Sequence, residues 1–374
     1  MRHNQLVWSE INLTNLNHNL QVIRQRIGPK RKIIGVVKAD AYGHGAVAVA
    51  KSILGQGVDQ LAVASVAEAQ ELGQAGVKAP ILILGAASRE EILPVVEAGF
   101  TPMVYTDSFC RELASTCQEK QKVLKVHVRV EINSGNLGVS LKNCLGFVQR
   151  LKQYPWLEIE GLFTHLASSY GHDREAIAKD LARFNALLRR LKEQGINIPL
   201  IHAASSPAIL RLPEAHYDAV RPGTSMYGLP SFLNQLEPLK PVMQFKTRIA
   251  ETKKIPSGEL WGYGYQVNTN GPIQLAVIPV GYSNAFFMLF LKRGEVLINS
   301  SRAPIVGKAF MSHSLIDITQ LPQKPLVGDE VVIFGRQGRE TILVQDIAEK
   351  IDIGTTHCES ICFLNKSVER KYIS

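Results

Sequence analysis

The sequence lacks any apolar run long enough to cross a membrane. Its longest strongly apolar stretches, such as residues 81–84 and 276–280, fall far short of the roughly 20 residues that a membrane helix needs. No apolar segment followed by small residues stands near residue 1, so no secretory signal is predicted and we expect a cytoplasmic protein. Aromatic residues make up only 7% of the 374 residues, against 45% hydrophobic and 20% charged. This ordinary composition excludes a disordered or collagen-like chain and leaves room for two domains.

Cysteine is also scarce, and basic residues are not concentrated in one region. The five cysteines are odd in number and form no CxxC pair, so we predict reduced thiols and no cysteine-based metal site. Lysine and arginine number 42 against 33 acidic residues, a net charge of +9, but they are scattered along the chain. Nucleic-acid binding calls for a basic stripe with interleaved aromatics. We therefore expect neither a nucleic acid nor a membrane as partner, but a small molecule.

Short apolar runs alternate with amphipathic segments in the first 225 residues. Amphipathic patterns predict helices over 15–26, 46–54, 90–98, 107–117 and 173–194. The apolar runs show no polar alternation, which is typical of parallel strands covered on both faces. They predict eight strands, over residues 32–39, 60–64, 81–84, 101–105, 123–131, 158–164, 200–203 and 218–221. Eight strands separated by helices predict a (β/α)₈ barrel of the TIM type.

After about residue 228 the pattern changes to β-like runs broken by glycine and proline turns. These runs cover residues 242–253, 273–280, 295–299, 303–309, 314–318 and 330–334, and one helix over 343–351 closes the pattern. We predict a barrel domain over residues 1–235 and a mainly antiparallel β domain over residues 236–374.

Reactive groups of such barrels lie at the C-terminal ends of the strands. Lys38 ends the apolar run 33–37, where burial would favour the neutral amine. A neutral amine is what a lysine needs to bind an aldehyde cofactor covalently. Taken alone, a lysine at this position is more often a rim residue whose ammonium group reaches solvent.

The last two predicted strands end in a pattern that fits a phosphate group. Ser206 follows one strand and the turn Arg221-Pro222-Gly223-Thr224 follows the next. A hydroxyl and the backbone N–H groups of a glycine turn are suitable ligands for a phosphate dianion. A lysine and a phosphate cradle on one face indicate pyridoxal 5'-phosphate. The alternative for Ser205-Ser206-Pro207 is a helix N-cap with proline in the first turn.

Motifs along nearly the whole chain resemble those of the alanine racemases. The most specific is the cofactor-lysine motif, Val37-Lys38-Ala39-Asp40-Ala41-Tyr42-Gly43-His44-Gly45. The others are Trp8-Ser9-Glu10-Ile11-Asn12-Leu13, Phe163-Thr164-His165, His202-Ala203-Ala204, Val220-Arg221-Pro222-Gly223, Gly262-Tyr263-Gly264, Pro279-Val280-Gly281-Tyr282 and Arg302-Ala303-Pro304-Ile305-Val306-Gly307.

The resemblance implies a pyridoxal-phosphate enzyme that works as a head-to-tail homodimer with shared active sites. Lys38 would hold the cofactor and act as one catalytic base, and Tyr263 of the partner subunit would be the second, on the opposite face. His165 would support that tyrosine, and Arg221 would hydrogen-bond the cofactor's pyridine nitrogen. The resemblance assigns phosphate contacts to Tyr42, Ser206, Gly223 and Thr224.

Departures from the family pattern cluster on the substrate side. After the fifth predicted strand, Arg129 stands where the family has a lysine, and Asn136 stands where it has a substrate-facing arginine. With that arginine absent, we hypothesise that Arg129 faces the substrate carboxylate. The alternative is a local ion pair with Glu131 or another nearby acid. The remaining expected substrate contacts, Met311 and Tyr282, are retained. Ser312 and Cys358 replace the family's residues around the substrate and at the entrance, and Ser205 replaces an asparagine.

These features predict an amino-acid racemase, of alanine in the first instance, that supplies D-alanine for peptidoglycan. The altered residues leave two alternatives open. One is a racemase of another amino acid, such as serine or lysine, or of broad specificity. The other is a pyridoxal-phosphate-binding homologue with reduced activity.

Overall fold

A computed structural model describes residues 6–229, 239–262, 267–268, 271–284, 294–351, 362 and 364–374. The N-terminal part alternates strands and helices. These are β1 (Val7–Asn12), α1 (Leu13–Ile27), β2 (Lys32–Val36), α2 (Lys38–Tyr42), α3 (Ala46–Leu54), β3 (Gln60–Val63), α4 (Val66–Gln74), β4 (Ile81–Ile83), α5 (Ile92–Ala98), β5 (Thr101–Val104), α6 (Asp107–Glu119), β6 (Leu124–Glu131), β7 (Val139–Ser140), α7 (Leu141–Leu151), β8 (Leu157–Thr164), α8 (Arg174–Glu193), β9 (Leu200–Ser205), α9 (Ser206–Arg211) and β10 (Ala219–Arg221).

Eight of these strands close into a parallel barrel. Their order is β5-β4-β3-β2-β10-β9-β8-β6, and β5 pairs with β6 to complete the ring. Every residue of β3 and β5 is buried, as expected for strands covered by helices outside and packed side chains inside. All eight predicted barrel strands are present with ends shifted by a few residues, so the predicted barrel is confirmed.

The C-terminal part is built mainly from antiparallel strands. Its elements are β11 (Met243–Arg248), β12 (Glu251–Ile255), β13 (Leu260–Trp261), β14 (Val267–Asn268), β15 (Ile273–Ile278), β16 (Glu295–Ile298), β17 (Ser301–Val306), β18 (Ser314–Asp317), β19 (Glu330–Gln337), β20 (Glu340–Ile342), α10 (Val344–Ile351) and β21 (Glu369–Ile373). The main sheet runs β12-β15-β18-β17-β16-β19-β11-β1-β21, with β20 beside β19. The second, mainly antiparallel domain is therefore confirmed.

The two ends of the chain meet in this second sheet. β1 pairs antiparallel with β11 and parallel with β21, so residues 7–12 belong to the sheet of the C-terminal domain although they precede the barrel. The prediction that helix 343–351 closes the pattern is wrong, because β21 follows it. The predicted boundary between residues 235 and 236 lies outside the described residues and stays a prediction. Within the described ranges, no helix is both long and apolar enough to cross a membrane.

Candidate active site

Lys38 follows β2 at the C-terminal mouth of the barrel and is partly buried. Four non-glycine residues after it are left-handed: φ is 51° at Ala39, 54° at Asp40, and 53° at both Ala41 and Tyr42. A left-handed conformation costs an L-residue roughly 1–2 kcal/mol. The surrounding structure must therefore stabilise this turn, which sets the directions in which Lys38 and Tyr42 leave the backbone.

Two carboxylates bind backbone N–H groups around this turn. Glu68 accepts hydrogen bonds from the N–H of Ala39 and the N–H of Ala64, each at 2.7 Å. Asp40 accepts one from the N–H of Ala46 at 2.8 Å, at the start of α3. These bonds tie the Lys38 segment to two neighbouring helices.

Arg221, at the end of β10, is 4% exposed and lies at the centre of the site. Its Nη1 is 2.6 Å from Nδ1 of His202, and its Nη2 donates to the carbonyl oxygen of Thr164 at 2.7 Å. The guanidinium lies 5.1 Å from the centre of the Phe163 ring. Burial, and after it repulsion from Arg129, lowers the pKa of Arg221 to about 9, so the group remains charged at neutral pH.

A chain of buried hydrogen bonds runs from Arg221 along the inside of the barrel. Nε2 of His202 is 2.9 Å from Nδ1 of His127, whose Nε2 is 3.1 Å from Oε2 of Glu160. Because an arginine can only donate, His202 must accept at Nδ1, and each imidazole then carries its proton on Nε2. Hydrogen bonds from His127 and Lys125 lower the pKa of Glu160 to about 2 despite its partial burial. The chain therefore joins the Arg221 cation to an ionised carboxylate through two neutral histidines.

Arg129, on β6, is the second buried cation. It is 8% exposed, and its guanidinium lies 5.9 Å from the centre of the same Phe163 ring. Its Nη1 has only a long contact, 3.5 Å, to the carbonyl oxygen of Leu84 and one of 3.8 Å to Sδ of Met103. In the described part of the chain, no carboxylate oxygen lies within 4.0 Å of either buried guanidinium. Glu131 instead binds Ser134, so the alternative local ion pair is not formed.

His165 follows β8 and is close enough to three positive groups for their charges to act on its imidazole. Burial, and then the charges of Arg221, Arg129 and Lys38, lower the pKa of His165 to about 3. The imidazole is therefore neutral at physiological pH. Three positive groups act on this one imidazole, and their combined charge favours a ligand that carries more than one negative charge.

The expected phosphate residues are also brought together. Ser206 Oγ accepts hydrogen bonds from the N–H of Gly223 at 3.0 Å and the N–H of Ser225 at 3.1 Å. This contact joins the start of α9 to the turn 222–225, which also holds Thr224. A Cβ on Gly223 would lie 2.7 Å from Oη of Tyr42, so the glycine lets the Tyr42 hydroxyl lie this close to the turn. Ser205 is the N-cap residue of α9, and its hydroxyl makes no capping hydrogen bond.

Other expected residues are not brought into this cluster. Asn136 is exposed, and its Oδ1 accepts from the neighbouring Leu137 N–H at 2.7 Å. Met311 and Tyr282 belong to the C-terminal part and are 60% and 39% exposed. Tyr263 and Cys358 lie outside the described residues.

Comparisons with known proteins agree across the whole chain. The family model described as alanine racemase, N-terminal domain, matches residues 11–231, and the one for the C-terminal domain matches residues 242–372. The chain belongs to the alanine racemase family. Alanine racemase 2 of Caldanaerobacter subterraneus is 38% identical over 367 residues, covering 97% of this chain and 94% of the relative. That of Methanococcus maripaludis is 36% identical over 371 residues, 98% of each.

Solved structures of alanine racemases show the same architecture. The enzyme from Clostridium difficile 630 superposes with a TM-score of 0.94 at 32% identity, covering 100% of this chain and 97% of that one. The Bacillus anthracis enzyme with bound L-Ala-P gives 0.93 at 31%, covering 100% and 96%. The resemblance drawn from the sequence motifs is thereby confirmed, as is the prediction of an enzyme of the alanine racemase family.

The sequence-based predictions gave no role to His127, Glu160 or His202, which contact Arg221 directly or through one another. Each is a polar residue inside a barrel strand, where apolar residues are expected. Gly161, inside the predicted strand 158–164, could also have indicated a bulky neighbouring side chain. A Cβ at this position would lie 2.6 Å from Nδ1 of His127, so the glycine makes room for the imidazole.

Proposed function

We propose that this protein interconverts L-alanine and D-alanine with pyridoxal 5'-phosphate as cofactor, supplying D-alanine for peptidoglycan in the cytoplasm. It would act as a homodimer in which Tyr263 of the partner subunit completes each site. One observation carries the proposal: the charges of Lys38, at the mouth of the barrel, and of two buried arginines all lower the pKa of His165, and neither arginine has a described carboxylate oxygen within 4.0 Å.

The residues of this pocket fit that cofactor. The hydroxyl of Ser205, beside Ser206, is buried without a hydrogen-bond partner, and an unsatisfied buried polar group of this kind calls for a ligand. Tyr42, Ser206, Gly223 and Thr224 would hold the phosphate at the mouth of the barrel, and Arg221 would face the pyridine nitrogen. When bound, the cofactor supplies an electron-withdrawing ring that weakens the α-C–H bond of an amino acid.

Inversion of one carbon needs a proton acceptor and a proton donor on opposite faces, because a single base returns its proton to the same side. Lys38 would handle the proton on one face, and Tyr263 of the partner subunit on the other. His165 is neutral at physiological pH and can accept a hydrogen bond, so it can orient a tyrosine hydroxyl without competing for the proton.

Arg221 limits the chemistry to racemisation. Since an arginine keeps its proton, it can donate a hydrogen bond to the pyridine nitrogen but cannot protonate it. An unprotonated pyridine ring withdraws electron density less strongly than a protonated one. The weaker withdrawal disfavours transamination and decarboxylation. The bond from Arg221 to His202 fixes the orientation of the guanidinium.

Arg129 would bind the substrate carboxylate. It has no ion-pair partner among the described residues, and Asn136 cannot supply the charge that the family's arginine provides. An arginine–carboxylate pair is a strong and directional contact. This altered arrangement is also the observation that favours the second candidate function, racemisation of another amino acid such as serine or lysine.

The test is exchange of the α-proton in deuterated water, with chiral product analysis, over a panel of L- and D-amino acids. Wild type is expected to exchange and racemise alanine. Lys38→Ala should lose about 10²-fold or more of the rate, since positioned acid–base groups contribute 10²–10⁴-fold. Tyr263→Phe should lose exchange for one enantiomer more than for the other.

Lys51→Ala, which removes an exposed lysine of α3, is the matched control and should keep full activity. Faster turnover of serine or lysine than of alanine would favour the second candidate. Cofactor binding to Lys38 without exchange of any amino acid would contradict racemase function altogether.

A further inference from the structure

The left-handed segment 39–42 has a contact with the far end of the chain. Arg370 of β21 forms an ion pair with Asp40, with Nη2 2.8 Å from Oδ2. The two side chains are only 10% and 14% exposed. The Nε of Arg370 also donates to the carbonyl oxygen of Gly43 at 2.8 Å. One guanidinium therefore contacts both the middle and the end of the left-handed turn.

The same strand packs on the residues that follow the turn. Gly45 has a φ of +92°, and a Cβ there would lie 1.9 Å from Oη of Tyr372 and 3.2 Å from Cδ of Arg370. Two successive residues on one face of β21 are thus fitted against the Lys38 loop. β21 is itself held by parallel pairing with β1, where Ser9 is opposite Arg370.

Local hydrogen bonds also contact the turn. The N–H groups of Ala41, Gly43 and Gly45 donate to the carbonyl oxygens of Val37, Ala39 and Asp40, each at 2.9 Å, and Nδ1 of His44 lies 2.9 Å from the carbonyl oxygens of Ala41 and Tyr42. Four consecutive non-glycine residues in this conformation are not maintained by their own preferences. Contacts from outside the turn must therefore add to these local bonds, and those of Arg370 reach it from a different domain.

We propose that Arg370 is a positioning residue for the cofactor lysine. Its ion pair with Asp40 and its hydrogen bond to Gly43 hold the left-handed turn, so that docking of the C-terminal strand fixes the directions of Lys38 and Tyr42. The cofactor part of this inference rests on the proposed function; the effect on the turn does not.

The experiment compares wild type with Arg370→Met and Arg370→Lys by hydrogen exchange of peptides covering residues 38–46, first without added cofactor. Arg370→Met keeps much of the side-chain volume but removes the charge and the donors. We expect exchange of the Gly43 and Gly45 amides to accelerate by about 10-fold or more, since a buried hydrogen bond to a charged group is lost. Arg370→Lys, which keeps only the ion pair, should fall between wild type and Arg370→Met.

The second readout is titration with pyridoxal phosphate, followed by the visible absorbance of the bound cofactor. Arg370→Met should raise the apparent Kd by about 10-fold or more, with partial rescue by Arg370→Lys. Lys371→Met is the matched control. It removes a cation from the next position of β21, where Lys371 lies 4.4 Å from the Trp8 ring centre, and should leave both readouts unchanged.

Wild-type exchange rates in a folded Arg370→Met protein would overturn the proposal, whatever the cofactor titration shows. If Arg370→Met does not fold, Asp40→Asn decides, because it keeps the acceptor for Ala46 but removes the charge. Unchanged exchange in Asp40→Asn and in Arg370→Lys would then refute the positioning role. Absence of cofactor absorbance in wild type would contradict the proposed function alone.

Discussion

Replacement of Arg129 by methionine is expected to stabilise the cofactor-free and substrate-free protein while weakening its use of an amino acid. The guanidinium is 8% exposed and has no carboxylate within 4.0 Å among the described residues. Burial lowers the pKa of Arg129 below its usual value, which is the sign of a charge that the fold solvates poorly. Methionine fills much of the same volume with an unbranched apolar chain.

The size of each effect follows from the contacts. Loss of the cation over Phe163, 5.9 Å from the ring centre, costs about 1 kcal/mol. The desolvation cost of a buried ion is several kcal/mol, and attraction to Glu131 offsets part of it, so we expect a net gain of about 1–3 kcal/mol in the free energy of unfolding. A lost charge-assisted hydrogen bond to a substrate carboxylate costs about 1.5–3 kcal/mol, which corresponds to a rise in KM of about 10- to 150-fold.

The assay pairs thermal unfolding of the cofactor-free protein with steady-state racemisation. Arg150→Met is the matched control, because Arg150 makes an exposed ion pair with Asp107 at 2.9 Å that should contribute less than about 1 kcal/mol. A midpoint of thermal unfolding that rises by a few degrees together with a higher KM supports the assignment. An unchanged KM for Arg129→Met would refute the carboxylate-binding role.

Four further predictions concern residues of the barrel strands and of the segments that follow them. Glu160→Leu should destabilise the protein by about 1–3 kcal/mol, because the Nε2–H of His127 loses its acceptor, whereas Glu160→Gln keeps an acceptor and should cost less; urea unfolding at pH 7 distinguishes them. The pKa of Glu160 is lowered from 4.5 to about 2. The contribution of its carboxylate to the free energy of unfolding is therefore complete above pH 4.5 and is lost as the pH falls from 4.5 to 2. The stabilities of wild type and Glu160→Gln should accordingly differ less at pH 2 than at pH 7. The pKa values of His165 and His44 are lowered to about 3 and about 4, so both imidazoles are neutral in the folded state. The free energy of unfolding should therefore fall as the pH drops below 6.5, where these residues are protonated in the unfolded chain. A ¹⁵N NMR spectrum that shows either ring protonated at pH 5.5 would contradict this. Gly161→Ala should destabilise by about 1–3 kcal/mol through overpacking against His127, and an unchanged unfolding midpoint would show that the ring can move away.

The sequence alone predicted the barrel strands and the residues at their C-terminal ends. Buried parallel strands are short, apolar and local in the chain, so their pattern can be read without knowing what they contact. The same holds for Lys38, a cation that ends an apolar strand, and for Ser206 and the turn after Arg221. Arg129 was predicted to face a ligand only because the residue seven positions later, Asn136, is not basic.

Only the tertiary structure decided which distant residues support these groups. β1 joins the second sheet because Val7 pairs with Thr247. No local sequence pattern predicts this contact between distant residues. The left-handed turn after Lys38 consists of residues that would individually avoid that conformation, and Arg370 reaches it from 327 positions away. The chain from Arg221 to Glu160 likewise combines residues of four strands. Local periodicity reports which face of an element is buried, whereas a strained turn or a buried charge is stable only when its partners arrive through folding.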